Sequence, residues 1–156
     1  MAAPPADSHT SLDQRVRILK RLRRMLLAQR DKFRQYLGIL EHEERAILER
    51  DVDRLTRHIE IEQGIVREIF ALQKVIGPLD DLYREAFPDG ENEIPPLRES
   101  LHHLQEQVLK RNEMNRNLLR EKMDHLREQI DQLRIPKPKK SPYGKTPPPT
   151  MVDVSG

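Results

Sequence analysis

The chain has 156 residues, of which 35% are charged and 4% aromatic, and it contains neither cysteine nor tryptophan. The absence of cysteine excludes disulfides, thiolate catalysis and thiolate zinc sites, and so few aromatic residues are untypical of an enzyme core. The composition is typical of long helices and coiled coils, while the net charge of +2 argues neither for nor against binding to nucleic acid.

Residues 1–10 hold two prolines and small polar residues, and we expect them to be disordered. They contain neither the basic nor the apolar region of a secretory signal. No part of the chain approaches the roughly 18 consecutive apolar residues that a membrane-spanning helix needs. The sequence therefore predicts a soluble, cytoplasmic protein without stable membrane insertion.

The first long helix is predicted from about Leu12 to Arg50, with Ser11 or Asp13 as its N-cap. Apolar residues recur in it at a strict seven-residue spacing, which strongly indicates a helix seam. The residues of this seam are Leu12, Leu19, Leu26, Phe33, Leu40 and Ile47.

A second amphipathic helix is predicted from Val52 to Ile76, where Glu62 and Gln73 occupy two positions of the apolar stripe. The junction between the two helices has neither Gly nor Pro, so a single continuous helix is one alternative. Asp51 is a good N-cap, however, and a hairpin at this point would bury the seam more economically.

A hairpin at Asp51 would bring Gly38 and Gly64 level, because each lies thirteen positions from it. A glycine inside a helix costs roughly 1 kcal/mol relative to alanine and often has a packing reason. Close approach of the two helices at these glycines is one hypothesis, and two unrelated, tolerated glycines are the alternative.

The pair Gly77-Pro78 is predicted to end the second helix, and Leu79–Phe87 to form a short connecting helix. A third long helix is predicted from about Pro96 to Arg134, because proline suits the first turn of a helix. The following residues, 136–156, are rich in proline and lysine and are expected to form a flexible tail.

Together these elements predict an all-α fold, in the form of an elongated antiparallel bundle of three long helices and one short connecting helix. Residues 11–135 would form this helical domain, between a disordered N-terminus and the tail. The oligomeric state stays open, because a second copy could cover an exposed seam in a homodimer.

Two asparagines, Asn112 and Asn115, occupy positions on the apolar stripe of the third helix. They could form a polar layer that fixes the register of a coiled coil at a cost in stability, or a site where amides meet a partner. A solvent-facing gap is the third interpretation, because a buried unpaired amide costs roughly 1–3 kcal/mol.

The sequence contains no convincing catalytic, cofactor or metal site. His42 and Glu43 resemble the start of a His-Glu-x-x-His zinc motif, but Ala46 occupies the position of the second histidine. We therefore expect no enzymatic activity, no cofactor and no bound metal.

A basic cluster marks the first helix, and nucleic acid or another anionic surface could bind it. A solvated helix face is the alternative interpretation. Acidic segments follow, and no aromatic residue interleaves with the cations as a stacking platform requires, so we expect no nucleic-acid partner. The cluster consists of Arg15, Arg17, Lys20, Arg21, Arg23 and Arg24.

The stretch Asn112-x-x-Asn115-x-x-Leu118-Leu119 resembles a pattern in the last helix of the FlgN family. These proteins are the flagellar type III export chaperones for the hook–filament junction proteins FlgK and FlgL. The stretch "ILERDVDRLTRHIEIE" (Ile47–Glu62) is similar to the joint between the family's first two helices. The segments "SPYGK" and "MVDVSG" resemble the family's tail, so the resemblance covers nearly the whole chain.

The resemblance implies a cytoplasmic chaperone that covers the amphipathic terminal helices of FlgK and FlgL, prevents premature assembly and delivers these clients to the type III export apparatus. Its last helix would bind the client as a helix-in-groove contact. The implied client-binding residues are Asn112, Asn115, Leu118, Leu119, Met123, Leu126, Ile130 and Leu133.

The resemblance also implies contacts with the cytoplasmic domain of the export gate and with soluble export components. Tyr143 in the tail is the candidate residue for this contact, because an exposed aromatic side chain on a flexible segment can anchor a partner. A structural coiled-coil linker or stalk component of a type III export complex is the alternative function.

Overall fold

The computed structural model describes residues 7–134, which form three α-helices and no β-strand. Helix α1 spans Asp7–Leu48, α2 spans Val52–Ala86 and α3 spans Ile94–Leu133. The predicted all-α class is confirmed, although the described residues contain three helices rather than four. Tyr143 and the predicted tail lie outside the described residues.

Helix α1 begins at Asp7, inside the segment 1–10 for which the sequence predicts disorder. The helix starts four residues before Ser11, the first of the two predicted caps.

Helices α1 and α2 form an antiparallel hairpin, as the sequence predicts. Residues that come later in α1 contact residues that come earlier in α2, as expected for two antiparallel helices. The cross-hairpin pairs are Gln29–Gln73, Lys32–Glu68, Tyr36–Glu62 and the stacked rings of His42 and His58.

The hairpin turn combines a helix C-cap with a helix N-cap. Arg50 has a φ of 57°, in the left-handed region that glycine usually occupies. Its N–H donates to the Ile47 carbonyl (3.1 Å) and the Asp51 N–H to the Ala46 carbonyl (2.9 Å), as in a Schellman motif. The Asp51 carboxylate accepts from the Arg54 amide (3.1 Å), so Asp51 caps α2 as predicted.

The two glycines inside the hairpin do not mark a close approach of its helices, so that hypothesis is wrong. A Cβ added at Gly38 would meet nothing within 4 Å beyond its own helix backbone. One added at Gly64 would meet only the end of the Arg67 side chain, at 4.0 Å. Both positions have room for alanine.

Helix α2 continues through Gly77-Pro78, where the sequence predicted its end, and the predicted short helix is the last part of α2. An internal proline removes one backbone hydrogen bond and costs about 3 kcal/mol. Ile76, Leu79 and Tyr83 are buried on either side of it. Since each fully buried apolar side chain contributes about 1.5–3 kcal/mol, their burial offsets the cost of the proline.

The hydrophobic core lies where the open end of the hairpin meets the start of α3. All three helices contribute to it, and its side chains are almost completely removed from solvent. The core consists of Leu22 and Leu26 from α1, Ile76, Leu79 and Tyr83 from α2, and Ile94, Leu97 and Leu101 from α3.

Glu91 in the loop between α2 and α3 fixes the start of α3. Its carboxylate accepts hydrogen bonds from the backbone N–H groups of Ile94 and Glu93 and from the Tyr83 hydroxyl. Burial alone would raise the pKa of Glu91, but these bonds outweigh it and hold the pKa below its ordinary value. The loop is therefore tied to both helices that it joins.

The chain divides into two units at Leu118, within α3. In the first unit, α3 runs in the same direction as α1, because Glu93 pairs with Arg23 (3.9 Å) and Arg111 with Glu44 (3.0 Å). The described part of the second unit consists of the last turns of α3, from Leu119 to Leu133.

Candidate partner-binding site

The last turns of α3 carry an apolar stripe, hereafter the Leu119–Leu133 stripe, which consists of Leu119, Met123, Leu126, Ile130 and Leu133. At 100° per residue its side chains fall on one face of the helix, about 21 Å long. Leu118 and Leu119 are half-buried, and the rest of the stripe is open to solvent. The exposed fractions are 47% for Met123, 50% for Leu126, 49% for Ile130 and 80% for Leu133.

The remaining faces of this segment carry charges of both signs. Basic and acidic side chains alternate around the stripe, and the one ion pair among its described residues is that of Arg127 with Asp124 (4.0 Å). The charged residues are Arg120, Lys122 and Arg127 against Glu121, Asp124, Glu128 and Asp131. With the signs nearly balanced, the apolar stripe is the dominant recognition feature of the segment.

The two asparagines of the predicted site lie in the first unit and face α1. The Asn115 amide donates to the Leu40 carbonyl (2.7 Å), and only 5% of Asn115 is exposed. The Asn112 amide donates to the Tyr36 hydroxyl (3.2 Å). Of the three interpretations left open by the sequence, the solvent-facing gap is wrong, and the interhelical polar layer describes these contacts.

The polar layer extends from α3 across α1 to α2. The Tyr36 hydroxyl donates in turn to the Glu62 carboxylate (2.9 Å). Burial, followed by the hydrogen bond with Glu62, raises the pKa of Tyr36 far above its ordinary value. A chain of hydrogen bonds therefore links Asn112 to Glu62 through the tyrosine.

Glu43 of α1 is a buried member of the polar layer and lies near Glu62 and Asn115. It is buried, and burial followed by the hydrogen bond and negative charge of Glu62 raises its pKa to about 9, while a hydrogen bond from Asn115 opposes the shift. The shift favours the protonated form of the Glu43 carboxyl, because two neighbouring buried carboxylates cannot both remain charged without a large cost.

Tyr36, Glu43 and Glu62 were missing from the set of residues predicted for the site. The sequence did carry a signal for one of them, since Glu62 occupies an apolar stripe position of α2, as the asparagines do on α3. Polar residues placed on the stripes of two neighbouring helices are candidates for one shared polar layer. The same signal applies to Gln73, which accepts from the buried Gln29 (3.0 Å).

Across the first unit, the asparagines hold α3 against the hairpin in a fixed register. Each buried amide or carboxyl would be costly without its partner, so the polar layer discriminates against alternative registers. In this conformation the Asn112 and Asn115 amides are engaged within the chain. Among the residues predicted to bind a client, those whose side chains remain available are the members of the Leu119–Leu133 stripe and the half-buried Leu118.

Metal-ligand geometry is absent from the part of the chain that the structure describes. No group of three or more histidine, aspartate or glutamate side chains there could hold a metal ion. His42 instead stacks on His58, with 5.5 Å between the ring centroids. No helix within residues 7–134 is long and apolar enough to cross a membrane.

The described fold defines an all-α protein in which a helical hairpin carries a third, long helix. No protein-family model matches the sequence, and no solved structure matches it. The chain is 36% identical over 127 residues to an uncharacterized protein of Treponema pallidum (strain Nichols), a match that spans 81% of this chain and 82% of that protein. The chain belongs to the same family as this Treponema protein.

Proposed function

We propose that the protein is a cytoplasmic export chaperone of the FlgN type. It would bind the amphipathic terminal helices of hook–filament junction proteins such as FlgK and FlgL, prevent their premature assembly and deliver them to the type III export apparatus. The observation that carries this proposal is the exposed Leu119–Leu133 stripe. A contiguous exposed apolar face of this kind marks a surface that binds a partner.

An amphipathic client helix fits the stripe in length and chemistry. The exposed residues Met123, Leu126 and Ile130 have the i, i+3, i+7 spacing of the anchors in a helix-in-groove contact, and Leu133 lies one turn further. Covering the half-exposed side chains of Met123, Leu126 and Ile130, with that of Leu133, would contribute about 3–6 kcal/mol. A contribution of this size favours a reversible complex, as delivery of the client requires.

Individual residues of the stripe have different roles in this proposal. Met123 is flexible and polarizable, so it can adapt to two related client helices. Leu118 and Leu119 are half-buried, so they would contribute less to the contact than the exposed residues of the stripe. Asn112 and Asn115, whose amides are engaged with Tyr36 and Leu40, would anchor α3 and would touch the client only if those bonds opened.

A peptide titration with matched variants tests the proposal. Peptides that contain the C-terminal helices of FlgK and FlgL are titrated into the full chain, and binding is followed by fluorescence anisotropy. We expect Leu126→Asp and Ile130→Asp each to weaken binding at least about tenfold, because a charge must then enter the apolar contact.

Leu109→Asp is the matched control, since Leu109 is a leucine of α3 that is 69% exposed and lies outside the stripe. It should leave the affinity unchanged. If the two stripe variants bind as tightly as the control, the stripe is not the client site. If no peptide binds to the unaltered chain, the chaperone function itself is rejected.

The contact with the export gate and soluble export components is proposed for the tail that follows α3, with Tyr143 as its anchor. Tyr143→Ala should weaken binding to the cytoplasmic domain of the export gate and leave the client peptides bound as before. The two binding measurements therefore separate delivery from client recognition.

A structural linker or stalk component of a type III export complex is the second candidate. The 40-residue length of α3 favours it, because a long amphipathic helix can also pair with the helices of a large assembly. Such a linker would not bind isolated client peptides. It would pair through the stripe with another long helix, so Leu126→Asp would abolish that assembly in sedimentation analysis.

A further inference from the structure

The basic cluster of α1 is divided by the structure into two groups. Arg15 lies over the ring of Phe87, with 4.8 Å between its guanidinium carbon and the ring centroid. Arg23 lies 3.9 Å from the Glu93 carboxylate. The other group, hereafter the basic face, points to solvent and consists of Arg17, Lys20, Arg21 and Arg24.

The basic face occupies two adjacent turns on the side of α1 opposite the buried Leu22 and Leu26. Lys20 and Arg21 each lie three or four residues from both Arg17 and Arg24, so every side chain has a like charge as its neighbour. Among the described side chains, no carboxylate lies within 4 Å of any of the four. Such repulsion weakens a helix and is relieved when an anionic partner neutralises it.

Exposed apolar side chains flank this surface toward the start of α1. Val16 is 41% exposed and lies one turn before Lys20 on the same side of the helix, and Leu12 is 54% exposed and lies one turn before Val16, nearer the core face. Cations beside exposed aliphatic side chains match the boundary of a bilayer, where anionic headgroups meet acyl chains. The phosphate backbone of a nucleic acid offers no apolar surface for Leu12 and Val16, and no aromatic side chain stands among the cations to stack on bases.

An acidic peptide fits this surface less well than a membrane does. Peptides bind in grooves, and the groove between the start of α1 and the end of α2 contains none of the four cations. Its lining includes Gln14, Arg15, Leu82 and Glu85 instead. The basic face lies on the convex side of a helix, where a flat anionic surface can reach all four side chains.

We propose that the basic face and its apolar neighbours Leu12 and Val16 form a peripheral binding surface for membranes rich in anionic lipid. The contact is made by the outer face of α1 while the core face stays packed against α2 and α3. It does not rest on the chaperone proposal, because it uses a different helix and a different chemistry.

Co-sedimentation of the full chain with lipid vesicles tests this proposal. Vesicles of phosphatidylglycerol and phosphatidylcholine in equal amounts are compared with vesicles of phosphatidylcholine alone, at physiological salt. The test variant replaces Arg17, Lys20, Arg21 and Arg24 with glutamine. We expect binding only to the anionic vesicles, and a loss of at least about tenfold in the variant, because each basic residue near an anionic surface contributes to the attraction.

A control variant removes the same amount of charge elsewhere in the first unit. Glutamine replaces Arg57, Arg67, Lys74 and Lys110, which are exposed cations of α2 and α3. This variant should bind anionic vesicles within about twofold of the unaltered chain, because its cations lie outside the surface. An equal loss in both variants would mean that net charge rather than the basic face attracts the protein, and would overturn the proposal.

Two further measurements complete the test. Leu12→Ser with Val16→Ser should weaken vesicle binding while all cations are kept; unchanged binding would remove the apolar part of the surface. Duplex DNA at the same salt concentration should not bind, and DNA binding that disappears in the four-glutamine variant would assign the face to nucleic acid instead. Circular dichroism and client-peptide affinity, measured on every variant, separate this surface from the chaperone site.

Discussion

Helix α3 has two parts that share one sequence pattern and differ in exposure. In Ile94–Leu118 the stripe residues Leu97, Leu101 and Val108 are buried, and Asn115 is buried with them. In Leu119–Leu133 the stripe residues beyond Leu119 are all exposed. Periodicity therefore identifies an apolar face but does not indicate whether the chain itself covers that face.

The two parts also differ in how they use polar groups. Asn112, Asn115 and Arg111 bond to side chains or backbone of α1. The charged residues of the last turns of α3 are exposed apart from the half-buried Lys122, and their one described ion pair is local. The first part is thus specified by directional contacts within the chain, whereas the second part presents a non-directional apolar surface suited to an adaptable partner.

The largest expected difference between the two parts concerns leucine truncation. Leu101→Ala should lower the free energy of unfolding by about 2–5 kcal/mol, because it leaves a cavity in the core. Leu126→Ala, an identical change in an exposed leucine of the same helix, should change it by less than about 0.5 kcal/mol. Urea unfolding of both variants measures this, and equal losses would mean that the stripe is covered in the isolated protein.

Asparagine truncation should give the next largest contrast. Asn115→Ala removes the donor to the Leu40 carbonyl and should cost about 1–3 kcal/mol. Asn117→Ala is the matched control, because Asn117 is exposed on the same helix, and it should be nearly neutral. Chemical unfolding compares the two, and a neutral Asn115→Ala would show that the polar layer contributes little to the stability of the first unit.

The pH dependence of stability tests the buried carboxyl beside Asn115. The pKa of Glu43 is raised to about 9 in the folded chain. Its contribution to stability is therefore complete below its unfolded pKa and declines as the pH rises toward about 9, because the unfolded chain releases the proton earlier. Glu43→Gln should flatten that part of the profile, measured by urea unfolding between pH 5 and pH 9. A variant profile parallel to the original would exclude Glu43 as the cause.

The smallest expected contrast concerns ion pairs of the two parts. Arg111→Gln breaks a partly buried pair with Glu44 (3.0 Å) and should cost about 0.5 kcal/mol at low salt. Arg127→Gln breaks an exposed pair with Asp124 (4.0 Å) and should have no measurable effect. Thermal unfolding at low and high salt detects the difference, which should shrink as salt increases.

Several elements of the fold could be predicted from local sequence. The strict heptad of α1 and the capping side chain of Asp51 determined the hairpin, because both act over a few residues. The continuation of α2 through Pro78 could not be predicted in this way. It depends on the burial of Ile76, Leu79 and Tyr83 among side chains that are distant in sequence, which outweighs a strong local signal for a helix end.

Only part of the candidate site could be predicted, because contacts between residues distant in sequence leave no local signal. The apolar residues from Met123 to Leu133 were identified by spacing, and their exposure fits the predicted role as a binding surface, which remains a prediction. The partners of the asparagines were not identified, because Tyr36, Glu43 and Glu62 lie on other helices. Likewise, six cations of α1 looked equivalent in sequence, and only the packing of Phe87 and Glu93 separated Arg15 and Arg23 from the basic face.

The sequence by itself determined that this protein is helical, where its hairpin turns and which faces of its helices are apolar. These properties follow from periodicity, capping and turn preference, which neighbouring residues set. The tertiary structure decided which faces are buried, that Asn112 and Asn115 bond to α1, and that burial beside Glu62 raises the pKa of Glu43. These properties depend on the free energy of removing a group from water, and that is fixed only by the side chains that surround it in the folded chain.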